Sequence, residues 1–191
     1  MFKLLKEVFR TGDATVKYPF APHKVEKDFR GKPEHNAEQC IACAACTIAC
    51  PANALKMETD VAAGTRTWSI NYGRCIFCAR CEEVCPTRAI NLTQDFELSV
   101  ANKADLTVQA VFKLADCRCC GKPFAPVKEI AYAAALIEAT TAIDTAAIGR
   151  NGASTTDLER RRQMLETCPS CKRLNDLMQI AHITEQQETR R

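Results

Sequence analysis

The chain contains the same cysteine pattern twice, and this repeat constrains its fold more than any other feature. Each copy reads Cys-x-x-Cys-x-x-Cys-x-x-x-Cys-Pro. Three cysteines at such short steps can bind three corners of one iron–sulfur cube, and the fourth, followed by a turn-forming proline, is directed at a second cube. The pattern therefore predicts two [4Fe–4S] clusters and a role in electron transfer.

This crossover of the fourth cysteine assigns the ligands of both clusters. We expect cluster 1 to be bound by Cys40, Cys43, Cys46 and Cys85. We expect cluster 2 to be bound by Cys75, Cys78, Cys81 and Cys50. Zinc fits less well, because zinc sites usually separate two pairs of cysteines by a loop. Disulfides would require an oxidising compartment, which nothing at the N-terminus indicates.

Residues 40–95 form an internal repeat in which equivalent positions are 35 residues apart, so that Ile41 aligns with Ile76 and Ala54 with Ala89. Each half predicts a cysteine loop, a short helix near the fourth cysteine and then a strand. Two such halves related by a pseudo-twofold axis give the α+β core of bacterial-type ferredoxins with two clusters. Between them, alternating residues at 55–59 and 65–70 predict a β-hairpin into which Trp68 packs.

The first 39 residues are predicted to dock rather than to build a core. Within residues 1–11, one helical face carries Met1, Leu4, Leu5, Val8 and Phe9. We expect an amphipathic helix that packs on protein or lies on a membrane surface; its charges exclude a signal peptide. Residues 13–39 are polar and rich in proline, which predicts an extended arm that is ordered by a partner.

The C-terminal segment, residues 101–191, contains a second group of cysteines. Two closely spaced pairs predict a four-cysteine site for zinc or a single iron, formed by Cys117, Cys120, Cys168 and Cys171. Cys119 could replace one member of the first pair or remain a free thiol. The group could also consist of free thiols throughout, or bind a third cluster.

The rest of this segment is predicted to be largely helical. Residues 96–116 are interpreted as a polar connector. Helices are predicted at about 127–148 and 155–167, with a turn at 149–152 and an N-cap at Ser154 or Thr155.

The three segments are thus a helix with a docking arm (1–39), a dicluster ferredoxin domain (40–100) and a C-terminal extension with a metal site (101–191). Thirteen cysteines in 191 residues, without a signal peptide, indicate a reducing compartment. A net charge of only +3 argues against nucleic acid as a partner. No apolar run reaches the roughly 18 residues of a membrane span, so any membrane role would be peripheral.

Motifs for nucleotides, metalloproteases and serine hydrolases are absent from the sequence. His23, His35 and His182 are isolated and are interpreted as surface or internally satisfied residues. Three arginines flank the cluster loops, namely Arg74, Arg80 and Arg88. They are either solvated or raise the reduction potential of a nearby cluster.

Several segments resemble the two-cluster ferredoxin-like subunit of respiratory complex I and, more closely, its component H-type counterpart in formate hydrogenlyase and hydrogenase-4 complexes. They are Thr15-Val-Lys-Tyr-Pro19, Phe29-Arg-Gly-Lys-Pro33, Arg80-Cys-Glu-Glu-Val-Cys-Pro-Thr87 and the C-terminal cysteine pairs. The resemblance covers residues 1–130 well and is looser beyond them. All eight cluster cysteines map onto those of the family.

The resemblance implies a peripheral subunit on the cytoplasmic face of the inner membrane. Its partners would be the small and large subunits of a [NiFe]-hydrogenase, a second ferredoxin-like subunit, a formate dehydrogenase module and membrane-arm subunits. The chain would relay electrons from formate oxidation toward the hydrogenase. It would be a non-catalytic subunit with no substrate of its own.

Three different functions stay open at this point. They are a quinone-linked complex I-like subunit, a free-standing soluble dicluster ferredoxin, and a binding module whose clusters are only structural. The docking arm and the apolar helical face favour a subunit over a diffusing carrier. The near-neutral charge argues against a nucleic-acid-binding module.

Overall fold

The chain builds two antiparallel sheets around the cysteine-rich repeat. The computed structural model describes residues 2–12, 15–148 and 155–189. The helices are α1 (Phe2–Thr11), α2 (Ala45–Ala49), α3 (Arg80–Val84), α4 (Val127–Ile148), α5 (Thr155–Leu165) and α6 (Pro169–Thr189). The strands are β1 (Pro33–His35), β2 (Leu55–Asp60), β3 (Thr65–Asn71), β4 (Ile90–Leu92), β5 (Thr107–Asp116) and β6 (Pro123–Pro126).

The smaller sheet joins the end of the N-terminal arm to the second half of the repeat. Strand β1 pairs antiparallel with β4, with His35 opposite Ile90. The Gly31 amide donates to the Thr93 carbonyl at 2.8 Å, which extends the pairing toward the arm. Residues 31–35 therefore gain order within the chain rather than from a partner, and this pairing crosses the predicted boundary at residues 39 and 40.

The larger sheet has the strand order β2-β3-β5-β6. The predicted hairpin is confirmed: β2 pairs antiparallel with β3, and Trp68 stands opposite Met57 with its side chain fully buried. The predicted polar connector over 96–116 is wrong from Thr107 onward, because residues 107–116 form β5 along the other edge of β3. Its alternation signals a strand in retrospect, since Phe112 and Leu114 are buried while their neighbours are more exposed.

The core lies between the two sheets and the cysteine loops. It consists of Ala42, Leu55, Trp68, Ile70, Tyr72, Cys81, Ile90 and Phe112. Several cluster cysteines pack against it, among them Cys40, Cys46, Cys50 and Cys85. The apolar core therefore ends at the walls of the cysteine-lined sites.

Beyond β6, the described part of the C-terminal extension is helical, as predicted. Helix α4 begins directly after β6, and its predicted range matches the observed one. Helix α5 begins at Thr155 and ends at Leu165, two residues short of the prediction. The predicted turn at 149–152 and the N-cap at Ser154 lie outside the described residues.

Helix α1 confirms the predicted amphipathic helix, and its apolar face is uncovered. Phe2 and Phe9 are 89% and 81% exposed, and every described residue of the helix is exposed. Across the described ranges, none of the helices combines the length and apolar character needed to cross a bilayer.

Candidate iron–sulfur and metal sites

The eight cysteines of the repeat line two cavities, four in each. The first cavity is lined by Cys40, Cys43, Cys46 and Cys85. The second cavity is lined by Cys50, Cys75, Cys78 and Cys81. Each cavity thus gathers three cysteines of one run and the fourth cysteine of the other run.

Left-handed backbone at equivalent points of the repeat shapes both cysteine loops. Non-glycine residues with positive φ are uncommon, yet here they occur in three pairs separated by 35 residues. The pairs are Ala42 (56°) with Phe77 (53°), Ala44 (64°) with Ala79 (67°), and Asn53 (48°) with Arg88 (52°). Ala44 and Ala79 precede α2 and α3, so each loop turns sharply into its helix.

These turns direct backbone N–H groups at the cysteine sulfurs. In the first cavity, the Ala42 amide donates to Cys40 Sγ at 3.4 Å and the Ala89 amide donates to Cys85 Sγ at 3.2 Å. In the second cavity, the equivalent donors are Phe77 to Cys75 Sγ at 3.4 Å and Ala54 to Cys50 Sγ at 3.3 Å. Hydrogen bonds to sulfur stabilise negative charge on a thiolate ligand.

Burial raises the pKa of several thiols in these cavities. It raises the pKa of Cys46 to about 11, an effect that the Trp68 indole opposes, and that of Cys81 to about 12. Burial also acts on Cys85, but hydrogen bonds from Thr87 and Ala89 outweigh it and lower that pKa. Bound iron supplies the positive charge that such buried thiolates need, so binding of iron is coupled to loss of protons.

Four sulfurs, a mostly apolar wall and amides aimed at sulfur are the donor set that a [4Fe–4S] cube requires. The residues of both cavities therefore fit this group. When bound, such a cluster takes up and releases single electrons at potentials set by its surroundings.

A third cysteine site lies in the C-terminal extension. The sulfurs of Cys117, Cys120, Cys168 and Cys171 all lie within 4.8 Å of one another. The distance from Cys120 Sγ to Cys168 Sγ is 3.8 Å, which matches the edge of about 3.8 Å that a sulfur tetrahedron has for metal–sulfur bonds of about 2.3 Å. Cys119 is exposed and does not belong to this quartet.

Local backbone structure positions the four cysteines of this site. The turn after β5 closes through the Gly121 amide, which donates to the Cys117 carbonyl at 2.8 Å, and Gly121 adopts a φ of 67°. The second pair is placed by the start of α6, where the Cys168 amide donates to Cys117 Sγ at 3.2 Å. The site thus ties the turn between β5 and β6 to the last helix.

Hydrogen bonds within the quartet shift the pKa values of Cys117 and Cys171 in opposite directions. The hydrogen bond from the Cys168 amide lowers the pKa of Cys117 to about 6. Hydrogen bonding to Cys168, Cys120 and Cys117 raises the pKa of Cys171 well above its usual value. A thiolate that is stable near neutral pH beside three further thiols is suited to a divalent metal.

One residue of the first cavity was not predicted to lie there. His35 lines that cavity and stacks on Trp68, with ring centroids 3.7 Å apart and an interplanar angle of 14°. His35 is partly buried, and this burial lowers its pKa. Only the pairing of β1 with β4 brings residue 35 to the cluster loop, so no local pattern could have revealed this position.

The flanking arginines differ in their surroundings. Arg80 lines the second cavity and forms an ion pair with Glu83, its neighbour on α3. The positive charge of Arg80 is therefore largely offset where it stands, which weakens the prediction that it raises the potential of a cluster.

Comparison with known proteins agrees with this geometry. Residues 39–89 match the family described as 4Fe–4S dicluster domain, which includes both cysteine runs. Formate hydrogenlyase subunit 6 of Escherichia coli (strain K12) is 53% identical over 173 residues, which cover 91% of this chain and 89% of that protein. The chain belongs to the family of formate hydrogenlyase subunit 6.

Two further proteins resemble only part of this chain. NADH-quinone oxidoreductase subunit I of Campylobacter jejuni subsp. jejuni is 36% identical over 85 residues, 39% of this chain and 40% of that protein. A chain from the structure of the membrane-bound sulfane sulfur reductase, an archaeal respiratory membrane complex, is 31% identical, with a TM-score of 0.41 over 53% of this chain and 54% of that chain.

Family membership and the dicluster match confirm the predicted resemblance and the predicted α+β ferredoxin fold with its cysteine-bearing helical extension. The chain is an iron–sulfur electron-transfer subunit of the formate hydrogenlyase and complex I type.

Proposed function

We propose that this chain relays single electrons through two [4Fe–4S] clusters between a formate-oxidising module and a membrane-bound [NiFe]-hydrogenase. The observation that carries the proposal is the sharing of cysteines between two cavities within one small core. Cluster 1 would be held by Cys40, Cys43, Cys46 and Cys85, and cluster 2 by Cys75, Cys78, Cys81 and Cys50. Shared loops keep the clusters adjacent, which favours electron transfer from one to the other.

The residues of the chain bind and tune the clusters and contribute no group to catalysis. Their roles are to supply thiolates, to donate amide hydrogen bonds to sulfur and to exclude water from the cavity walls. The chain itself is therefore non-catalytic and has no small-molecule substrate. Its relationship to formate hydrogenlyase subunit 6 over most of its length favours the hydrogenase assembly over a quinone-linked complex I, whose subunit I matches only 39% of the chain.

Exposed apolar residues next to the cysteine loops support protein partners. Ile48 on α2 is 86% exposed, and Ile76 in the second cysteine loop is 60% exposed. Such side chains are suited to contacts with neighbouring redox subunits. We place a second ferredoxin-like subunit, the hydrogenase small and large subunits, a formate dehydrogenase module and membrane-arm subunits among these partners.

The uncovered apolar face of α1 supports attachment to the membrane side of the complex. The chain would then be a peripheral subunit on the cytoplasmic face of the inner membrane. The cysteine quartet would bind one structural zinc or iron and attach the C-terminal helices to the sheet.

Anaerobic purification of the full chain tests the proposal. We expect about eight cluster irons per chain and electron paramagnetic resonance (EPR) signals of reduced [4Fe–4S] clusters after addition of dithionite. A correctly assembled chain without reducible clusters would exclude electron transfer. The chain purified together with its complex should also show hydrogenase activity. Disruption of both cluster cavities should abolish that activity.

A further inference from the structure

The two cavities are equivalent in backbone but not in side chains. Each contains two cysteines that accept a backbone N–H, at distances between 3.2 and 3.4 Å. Because these contributions match, they would by themselves give the two clusters similar potentials. Any difference in potential between the clusters must therefore come from other groups around the cavities.

The repeat shows which wall residues correspond. Ile90 on β4 corresponds to Leu55 on β2, and their strand partners are His35 and Ile70, respectively. By the same register, Leu92 corresponds to Met57, so that Pro33 corresponds to Trp68.

Among these corresponding wall residues, only those of the first cavity carry a side-chain N–H or O–H group. The first cavity is lined by His35, Trp68 and Thr87. The corresponding residues of the second cavity are Ile70, Pro33 and Ala52, none of which has a side-chain N–H or O–H group.

Two nitrogens of the first wall have no protein partner. In the part of the chain that the structure describes, the buried side-chain polar atoms without a hydrogen-bond partner are His35 Nε2 and Trp68 Nε1. Such groups are costly to bury and rare in folded proteins. The indole N–H lies beside Cys46, whose thiolate it stabilises, although it makes no hydrogen bond within the described chain.

A third polar group contacts a ligand of the same cavity. Thr87 Oγ1 lies 3.7 Å from Cys85 Sγ. The stacked His35 ring fixes the plane of the indole and so acts as a positioning residue for Trp68. The wall of the first cavity thus directs donors at sulfur from two sides.

We propose that cluster 1 has the higher reduction potential of the two clusters, because Trp68 Nε1–H donates a hydrogen bond to its sulfurs and cluster 2 has no equivalent donor. The inference rests on the proposed function, since it requires both clusters to be bound. Reduction adds negative charge, and N–H donors stabilise that charge. In a chain that holds a single electron, cluster 1 would be reduced and cluster 2 oxidised. No proton would be transferred.

Charges near the cavities do not reverse this order. The Arg80 guanidinium at the second cavity is paired with Glu83. Burial raises the pKa of Cys40 in the first cavity, and the Lys128 ammonium opposes this effect. The paired guanidinium therefore adds little positive charge at cluster 2, whereas the ammonium adds some at cluster 1.

The single tryptophan of the chain allows a direct test on the unaltered protein. Tryptophan labelled with ¹⁵N in the indole ring is incorporated into the full chain, which is purified without oxygen and reduced with dithionite. Pulsed EPR should detect ¹⁵N coupling on the signal of one cluster. Cys43→Ser and Cys78→Ser, one in each cavity, identify which signal belongs to which cluster. Absence of the coupling from cluster 1, or its presence on cluster 2, would overturn the proposal.

A redox titration of Trp68→Phe measures the energetic effect. This change removes the N–H and keeps an aromatic ring against His35. We expect a lower potential for cluster 1, an unchanged potential for cluster 2, and a decrease of about five-fold in the equilibrium ratio of electrons on cluster 1 to those on cluster 2, the effect of one ordinary hydrogen bond. Met57→Leu, at another lining position of the first cavity, removes no donor and should leave both potentials unchanged.

The iron content distinguishes failure of the tuning role of Trp68 from failure of the proposed electron relay. Full iron content with an unchanged potential in Trp68→Phe, or an equal shift in Met57→Leu, refutes the tuning role of Trp68 and leaves the relay intact. A wild-type chain that binds no clusters refutes the proposed function itself. If Trp68→Phe loses its clusters, the ¹⁵N experiment on the wild-type chain still decides the matter.

Discussion

Gly31 is constrained by the close approach of backbone to backbone beside the smaller sheet. Its amide pairs with Thr93 next to the smaller sheet, and a Cβ atom at this position would lie 2.7 Å from the Thr93 carbonyl oxygen and closer still to that of Asp95. The glycine is therefore required by space rather than by backbone conformation.

Gly31→Ala should consequently destabilise the protein. Because the obstructing atoms belong to the backbone, the strand cannot yield easily, and we expect a loss of about 1–3 kcal/mol in the free energy of unfolding. Thermal unfolding of the cluster-loaded chain measures it. Gly73→Ala is the control, since its added Cβ meets only side-chain atoms, at 3.2 and 3.3 Å. Equal melting temperatures for the two variants would contradict the steric explanation.

At the scale of elements, two parts of the chain lie outside the ferredoxin core and have different means of attachment. The C-terminal helices are tied to the turn between β5 and β6 by four cysteines. Helix α1 has an apolar face that nothing in the described part of the chain covers. We expect the first attachment to depend on a bound metal and the second to depend on a partner.

Removal of the second cysteine pair tests the metal. Cys168→Ala combined with Cys171→Ala should lose about one zinc or iron per chain and keep the cluster irons, because neither cysteine lines a cluster cavity. Elemental analysis with EPR of the reduced clusters gives both counts. Cys119→Ser should retain the metal, since Cys119 stands outside the quartet. Loss of metal from this control would place Cys119 among the ligands.

Polar substitutions on the apolar face of α1 test the partner. Leu5→Gln combined with Phe9→Gln should abolish co-purification with the membrane-bound complex while cluster content stays unchanged, because these side chains contribute nothing to the core. Lys3→Gln combined with Lys6→Gln alters the polar residues of the same helix and should preserve the association. Identical recovery of complex by both variants would exclude docking through this face.

On the scale of the whole molecule, the repeat makes the two clusters depend on each other. Each cavity takes one cysteine from the opposite half, and the two halves meet through one apolar core. The domain must therefore fold as one unit, and neither half provides a complete ligand set.

The sharing of cysteines between the two cavities predicts which cysteine variants alter the same EPR signal. Cys85→Ser should alter the same EPR signal as Cys43→Ser, although 42 residues separate the two positions. Cys50→Ser should in turn match Cys78→Ser. If Cys50→Ser instead altered the signal affected by Cys43→Ser, each run would bind its own cluster and the crossover would be wrong.

Much of this architecture could be predicted from local pattern. Cysteine spacing indicates two clusters, a 35-residue period indicates the duplicated α+β fold, and alternation around Gly64 indicates the hairpin. Helical periodicity likewise places α1, and an alanine-rich run places α4. These features depend on residues that are near each other in the chain, or on direct repetition, and so they appear in the sequence itself.

The tertiary structure alone decided which distant residues meet. By local pattern β1 resembles part of an arm, because a strand of three residues is recognised by the strand beside it rather than by its own residues. Strand β5 differs, since its alternation of buried and exposed residues is present in its own sequence although it was interpreted as a connector. The same long-range pairing set His35 on Trp68 and left the indole N–H beside Cys46. The sequence determined that the chain offers cysteines for two clusters; the packing of the sheets decided that the walls of the two cavities differ, since only in three dimensions do equivalent positions of the repeat acquire different neighbours.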